Sequence, residues 1–96
     1  MVEMDTVFKK SDRVVSRKIV DELILVPIRT SVADMESLYT LNDVGARVYE
    51  LIDGRRTVAQ ICEAIVEEFE VTKEKAHADV SDFTEQLMEI GAIEKP

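Results

Sequence analysis

The chain has 96 residues, 46% apolar and 33% charged, with twenty acidic against twelve basic side chains and a net charge of −8. A chain this size buries only about 60–68% of its unfolded surface, which is enough for one modest core, and the composition is that of a folded domain rather than a disordered one. The acidic balance argues against a nucleic-acid partner, and no apolar run approaches the ~18–20 residues that cross a bilayer.

The first residues, MVEMDTVFKK, lack the basic-then-apolar order of a signal peptide. Their periodicity is weak, so residues 1–12 read as a flexible N-terminal tail and residues 13–96 as the folded domain. Between Arg13 and Leu41 the apolar residues are β-branched or leucine and come in short runs, the signature of strands. Three are expected: Val14–Val20, Leu23–Ile28 and Ser37–Leu41. Asp21 and Glu22 would turn the first hairpin. Pro27 cannot donate to a ladder and belongs at a strand end or edge. The segment Arg29–Glu36, which carries Met35, reads as a loop. The third strand is short and lies at an edge, where its backbone groups stay available.

From Asn42 onward the apolar residues recur every three or four positions, the helical period. Asn42 caps a helix over Asp43–Ile52, and Gly54 suits the left-handed position after it. Thr57 and Gln60 form a capping box for a second helix, Val58–Phe69. Thr72 caps a third, running to Ile90 and closed by Gly91, with the stripe Ala76, Val80, Phe83, Leu87 and Ile90. A short extended tail, Ala92–Glu94, can pair back onto the sheet. The fold class is α+β: a winged-helix-like, three-stranded antiparallel sheet followed by three helices, in the order βββααα. Charge follows the same division, +1 over residues 1–30 and −9 over residues 31–96.

Few side chains in the sequence carry chemistry. One histidine (His77), one cysteine (Cys62) and three scattered glycines leave no phosphate loop, metal-ligand spacing or nucleophile–base pair, so no catalytic residue, metal site or cofactor is assigned. Cys62 lies on the buried side of the second helix and reads as an inert core thiol. A lone cysteine fits a reducing, cytoplasmic setting. His77 falls off the apolar stripe and reads as a surface residue. Arg55 and Arg56 are solvated turn residues or, as two of the few cations in an acidic half, a contact for an acidic partner.

The stretch LNDVGARVYELIDGRRTVAQICEAI joins a Leu-Asn helix start, Asp-Gly, a basic pair and Thr-Val to an amphipathic helix. Together with the later block Leu-Met-Glu-Ile-Gly-Ala-Ile-Glu, it resembles the PqqD family over about residues 14–94. That resemblance implies a RiPP recognition element, a module that holds the leader of a ribosomally made precursor peptide. It then delivers the leader to a modifying enzyme, often a radical SAM protein, in pyrroloquinoline quinone synthesis or another RiPP pathway. The leader would add a strand to Leu38, Tyr39, Thr40 and Leu41 and face the third helix from Ala76 to Leu87, with Val80 and Phe83 between. An open strand edge beside an apolar helix face supplies both halves of such a site. The same edge invites pairing between two copies. Two alternatives compete. One is an accessory subunit of a modifying enzyme that binds no peptide. The other is a winged-helix DNA regulator, which the carboxylates at Glu74, Asp79, Asp82, Glu85 and Glu89 on the would-be recognition helix disfavour.

Overall fold

A computed structural model of the chain describes residues 3–27 and 39–96. Strands β2 (Val14–Ile19) and β3 (Glu22–Pro27) form an antiparallel hairpin, and β4 (Tyr39–Leu41) pairs antiparallel with β3, giving the order β2-β3-β4. The register sets Leu23 opposite Leu41 and Leu25 opposite Tyr39. Leu23, Leu25 and Leu41 therefore share the sheet face turned to the core, where Leu25 is fully buried. The hairpin turns at Val20–Asp21, one residue earlier than the sequence suggested, because Ile19 pairs with Glu22. Val20 carries the positive φ of 58° that a two-residue turn requires. A β-branched residue is a poor occupant of that region, so its side chain gave no warning. Of the third expected strand, Ser37 and Leu38 lie outside the described residues, as does the loop Arg29–Glu36.

The helices follow their punctuation closely. Helix α1 spans Asp43–Leu51, with the Asn42 side chain accepting from the Gly45 amide at 2.7 Å. Helix α2 spans Val58–Phe69 and has both halves of the Thr57/Gln60 capping box. Helix α3 spans Lys73–Glu89 behind a Thr72 cap. It ends in a Schellman motif: Gly91, at φ +76°, donates to Met88 O, and Ala92 donates to Leu87 O at 2.8 Å. The core joins Leu25 and Leu41 of the sheet to Val48 and Ile52 of α1 or its cap, Ile61 and Ile65 of α2, and Val80 and Leu87 of α3.

The N-terminal segment corrects the sequence reading. Instead of a flexible tail, residues 3–12 are tied into the fold, and Phe8 is 1% exposed. Thr6 O and Met4 O accept the first two amides of α2, Val58 and Ala59, at 2.9 and 2.8 Å. With Gln60 bonded to Thr57, every amide that the first turn of α2 would orphan has a partner. Phe8 O accepts from Gly54, and the Lys10 ammonium bonds Ile52 O at 2.8 Å, closing the end of α1. The last strand, β5 (Ile93–Glu94), pairs with β1 (Lys9–Lys10) rather than with the three-stranded sheet. Met4, Val7 and Phe8 show no period because the segment is held by contacts with distant residues, Ala59, Thr57 and Gly54, which a linear pattern does not display.

Replacing Phe8 with Ala should lower the unfolding free energy by about 3 kcal/mol, as for a buried aromatic. A urea titration measures it, and a truly loose tail would give no change.

Candidate functional site

Strand β4 pairs with β3 along one edge, and its other edge has no strand partner among the described residues. Beside it runs the C-terminal half of α3. Between them lies an open groove of about 580 Å³ lined by Thr40, Leu41 and Asn42 from one wall and by Phe83, Gln86, Leu87, Glu89 and Ile90 from the other. Positions 83, 86, 87 and 90 fall at the i, i+3, i+4, i+7 spacing that puts side chains on one helix face. The combination is an exposed backbone edge, an apolar floor and a polar lip. It can accept an extended chain along β4 and bury that chain's alternate side chains against α3.

A second cavity, of about 470 Å³, adjoins the first. Asn42, Phe83 and Gln86 border both, and the second adds Val44, Gly45 and Val48 of α1 with Lys75, Asp79 and Asp82 of α3. Lys75 is paired with Asp79 at 3.3 Å across one turn of the helix.

The expected site residues divide. Thr40 and Leu41 stand on one wall, and Phe83 and Leu87 on the other. Tyr39 belongs to β4 by its backbone, and Leu38 lies outside the described residues. Ala76 and Val80 line neither cavity: both are 0% exposed, and the Cys62 thiol sits 4.0 Å from Ala76 O where α3 meets α2. The buried row of α3 is Ala76, Val80, Ser81, Thr84 and Leu87. Thr84 is accommodated because its hydroxyl donates back to Val80 O and Ser81 O at 2.9 and 3.0 Å. Thr84 thus stands in the buried row, and Phe83 and Ile90 lie on its shoulder, half-buried. The sequence reading missed Asn42, Gln86, Glu89 and Ile90 as groove residues. Continuing the helical spacing from Phe83 would have found Gln86 and Ile90; nothing marked Asn42 beyond its capping role.

Arg55 and Arg56 border neither cavity. The Asp53 carboxylate accepts the Arg55 and Arg56 amides, both at 2.9 Å, and the Arg56 guanidinium at 2.8 Å. Arg56 is thereby committed to shaping the α1–α2 turn. His77 and Cys62 border a third cavity between α2 and α3, and burial pushes the Cys62 thiol pKa up, away from nucleophile chemistry. Among the described residues, no three His, Cys, Asp or Glu side chains are placed to hold a metal ion, and no helix is long and apolar enough to cross a membrane.

Two comparisons with known proteins give matches. The family model for PqqD, coenzyme PQQ synthesis protein D, matches residues 22–93. A solved structure described as TbiB1 in complex with the TbiA(beta) leader peptide is 30% identical, with a TM-score of 0.74, and the match covers 90% of this chain and 94% of that one. No curated protein sequence matches.

The hydrogen bonds from the Arg56 and Arg55 amides hold the Asp53 carboxyl below its usual pKa. A depressed carboxyl stabilises the fold above its unfolded pKa of ~3.9 and loses that contribution as pH falls through the lower folded value. Asp53→Asn should therefore flatten the acid limb of stability below about pH 4 relative to the parent, read as urea midpoints across pH.

Proposed function

Because the chain belongs to the PqqD family, we propose that it is a RiPP recognition element. In this reading it binds the leader segment of a ribosomally synthesised precursor peptide and presents it to a modifying enzyme. The observation that carries the reading is the edge of β4 that has no strand partner among the described residues and opens onto the apolar wall of α3. The leader adds as a strand to Tyr39–Leu41, continued through Leu38, so main-chain hydrogen bonds supply affinity whatever the leader's sequence. Alternate leader side chains enter the groove against Leu41, Phe83, Leu87 and Ile90 and supply selectivity. The likeness to a protein solved with a leader peptide supports the same assignment.

The magnitudes fit a delivery role. Two or three apolar anchors at about 1.5–3 kcal/mol each, less the cost of ordering the peptide, give affinities between micromolar and nanomolar. That range is tight enough to capture a leader and loose enough to release it. The chain acts as a binding module in the cytoplasm and not as a catalyst; a radical SAM protein is the proposed recipient, in pyrroloquinoline quinone or another RiPP pathway. A second copy pairing through β4 would compete with the leader for the same edge. Arg55 remains an exposed cation for the recipient enzyme, while Arg56 is held by Asp53.

An amide NMR titration with synthetic leaders, taken from small reading frames beside the gene, tests the reading. Saturable shifts at Thr40–Asn42 and Phe83–Ile90 are expected. Silence with every leader, together with shifts on adding the neighbouring enzyme, would instead mark an accessory subunit. Ile90→Ala, at a half-buried groove position, should weaken leader binding about tenfold, or ~1.4 kcal/mol. Its unfolding midpoint should fall less than that of Val80→Ala, whose side chain is wholly in the core.

A further inference from the structure

Gly45 occupies the first turn of α1 directly against the Phe83 ring. A Cβ on Gly45 would stand 3.1 Å from both Cε1 and Cζ of Phe83 and 3.2 Å from Asn42 Oδ1. Those separations are tighter than ordinary contacts of about 3.5–4.0 Å, so the Phe83 ring and the Asn42 capping oxygen would each have to give by a few tenths of an ångström. Gly45 has a helical neighbourhood and no positive φ, so backbone freedom does not explain the glycine there. Within a helix glycine is less favourable than Ala. What it provides is room for the ring.

That room matters because Phe83 stands between two cavities and borders both. Gly45 lines the α1 side only. Phe83 also lines the groove beside Leu41, Leu87 and Ile90, so a shift of its ring forced from position 45 changes that groove's lining. We propose that Gly45 is a specificity-determining positioning residue: by seating the Phe83 ring against α1, it sets the width of the β4–α3 groove and admits a peptide with a bulky apolar anchor, aliphatic or aromatic. The proposal rests on the leader-binding reading and names the class of side chain that the leader must offer.

The test uses the full chain and a leader that the parent binds, with each apolar leader residue replaced in turn by Ala to identify the anchor. Gly45→Ala should weaken the parent leader about fivefold or more and leave the anchor-to-Ala leader nearly unaffected. In a Phe83→Leu background, where no ring remains to be displaced, Gly45→Ala should cost no further affinity. Aromatic carbon–proton NMR of the free protein should show the Phe83 ring signals shifted by Gly45→Ala. Equal losses in both backgrounds, or an unchanged affinity for the parent leader, would overturn the proposal while leaving leader binding intact. If the parent protein binds no leader at all, the functional reading falls first and this one with it.

Discussion

The packing of α3 against α2 is the constraint on which the groove depends. Ala76 and Val80 are small or β-branched and completely buried, so the two helices approach closely at that end. Leu87 then reaches the core from two turns further on, and the Schellman closure at Gly91 fixes where the helix stops. With one face of α3 committed to α2 and the core, the neighbouring shoulder bearing Phe83, Gln86 and Ile90 has one direction left, towards β4. A groove wall built in this way is held by the core itself. Its geometry is set before any ligand arrives, which lowers the ordering cost of binding.

The other wall is anchored differently. Leu41 pairs with Leu23 and is buried, and the next residue, Asn42, caps α1. Strand end, helix start and groove wall thus meet within two residues. A change at Asn42 acts on all three at once. Loss of its cap alone costs about 1 kcal/mol in typical helices. Asn42 also borders both cavities.

The N-terminal segment works at the opposite junction. Its carbonyls satisfy the first amides of α2, Phe8 fills the core, and Lys10 closes α1 while lying 5.1 Å from the Tyr49 ring centroid. Burial lowers the Lys10 pKa, partly offset by the carboxylates of Asp53 and Glu50. Arg47 of α1 adds a bidentate pair to Glu68 of α2 at 2.8 and 3.1 Å. This pair is exposed and worth little by itself. Together these contacts hold the α1–α2 pair on which α3 rests, and Gly45 in α1 is the point where that scaffold touches the groove.

The helices were legible in the sequence because caps and 3.6-residue periodicity are local: Asn42, Thr57, Thr72, Gly54 and Gly91 act within a few residues of where they stand. The α+β order and an edge strand beside an apolar helix face were legible for the same reason, and so were Leu41, Phe83 and Leu87 as candidate site residues. What needed the tertiary structure was every property that depends on two distant segments meeting. Ala76, Val80 and Thr84 are committed to the core face of α3 and do not line the groove, while Ile90 lies beside it. Phe8 has no periodic partner, because its neighbours come from the α1–α2 turn. The closing strand pairs with Lys9–Lys10 rather than with the larger sheet. Gly45 reads in the sequence as a weak helix residue, and only the 3.1 Å approach of Phe83, thirty-eight positions away, gives it a reason. Backbone preferences are written locally, but burial is decided by which surfaces are left to meet.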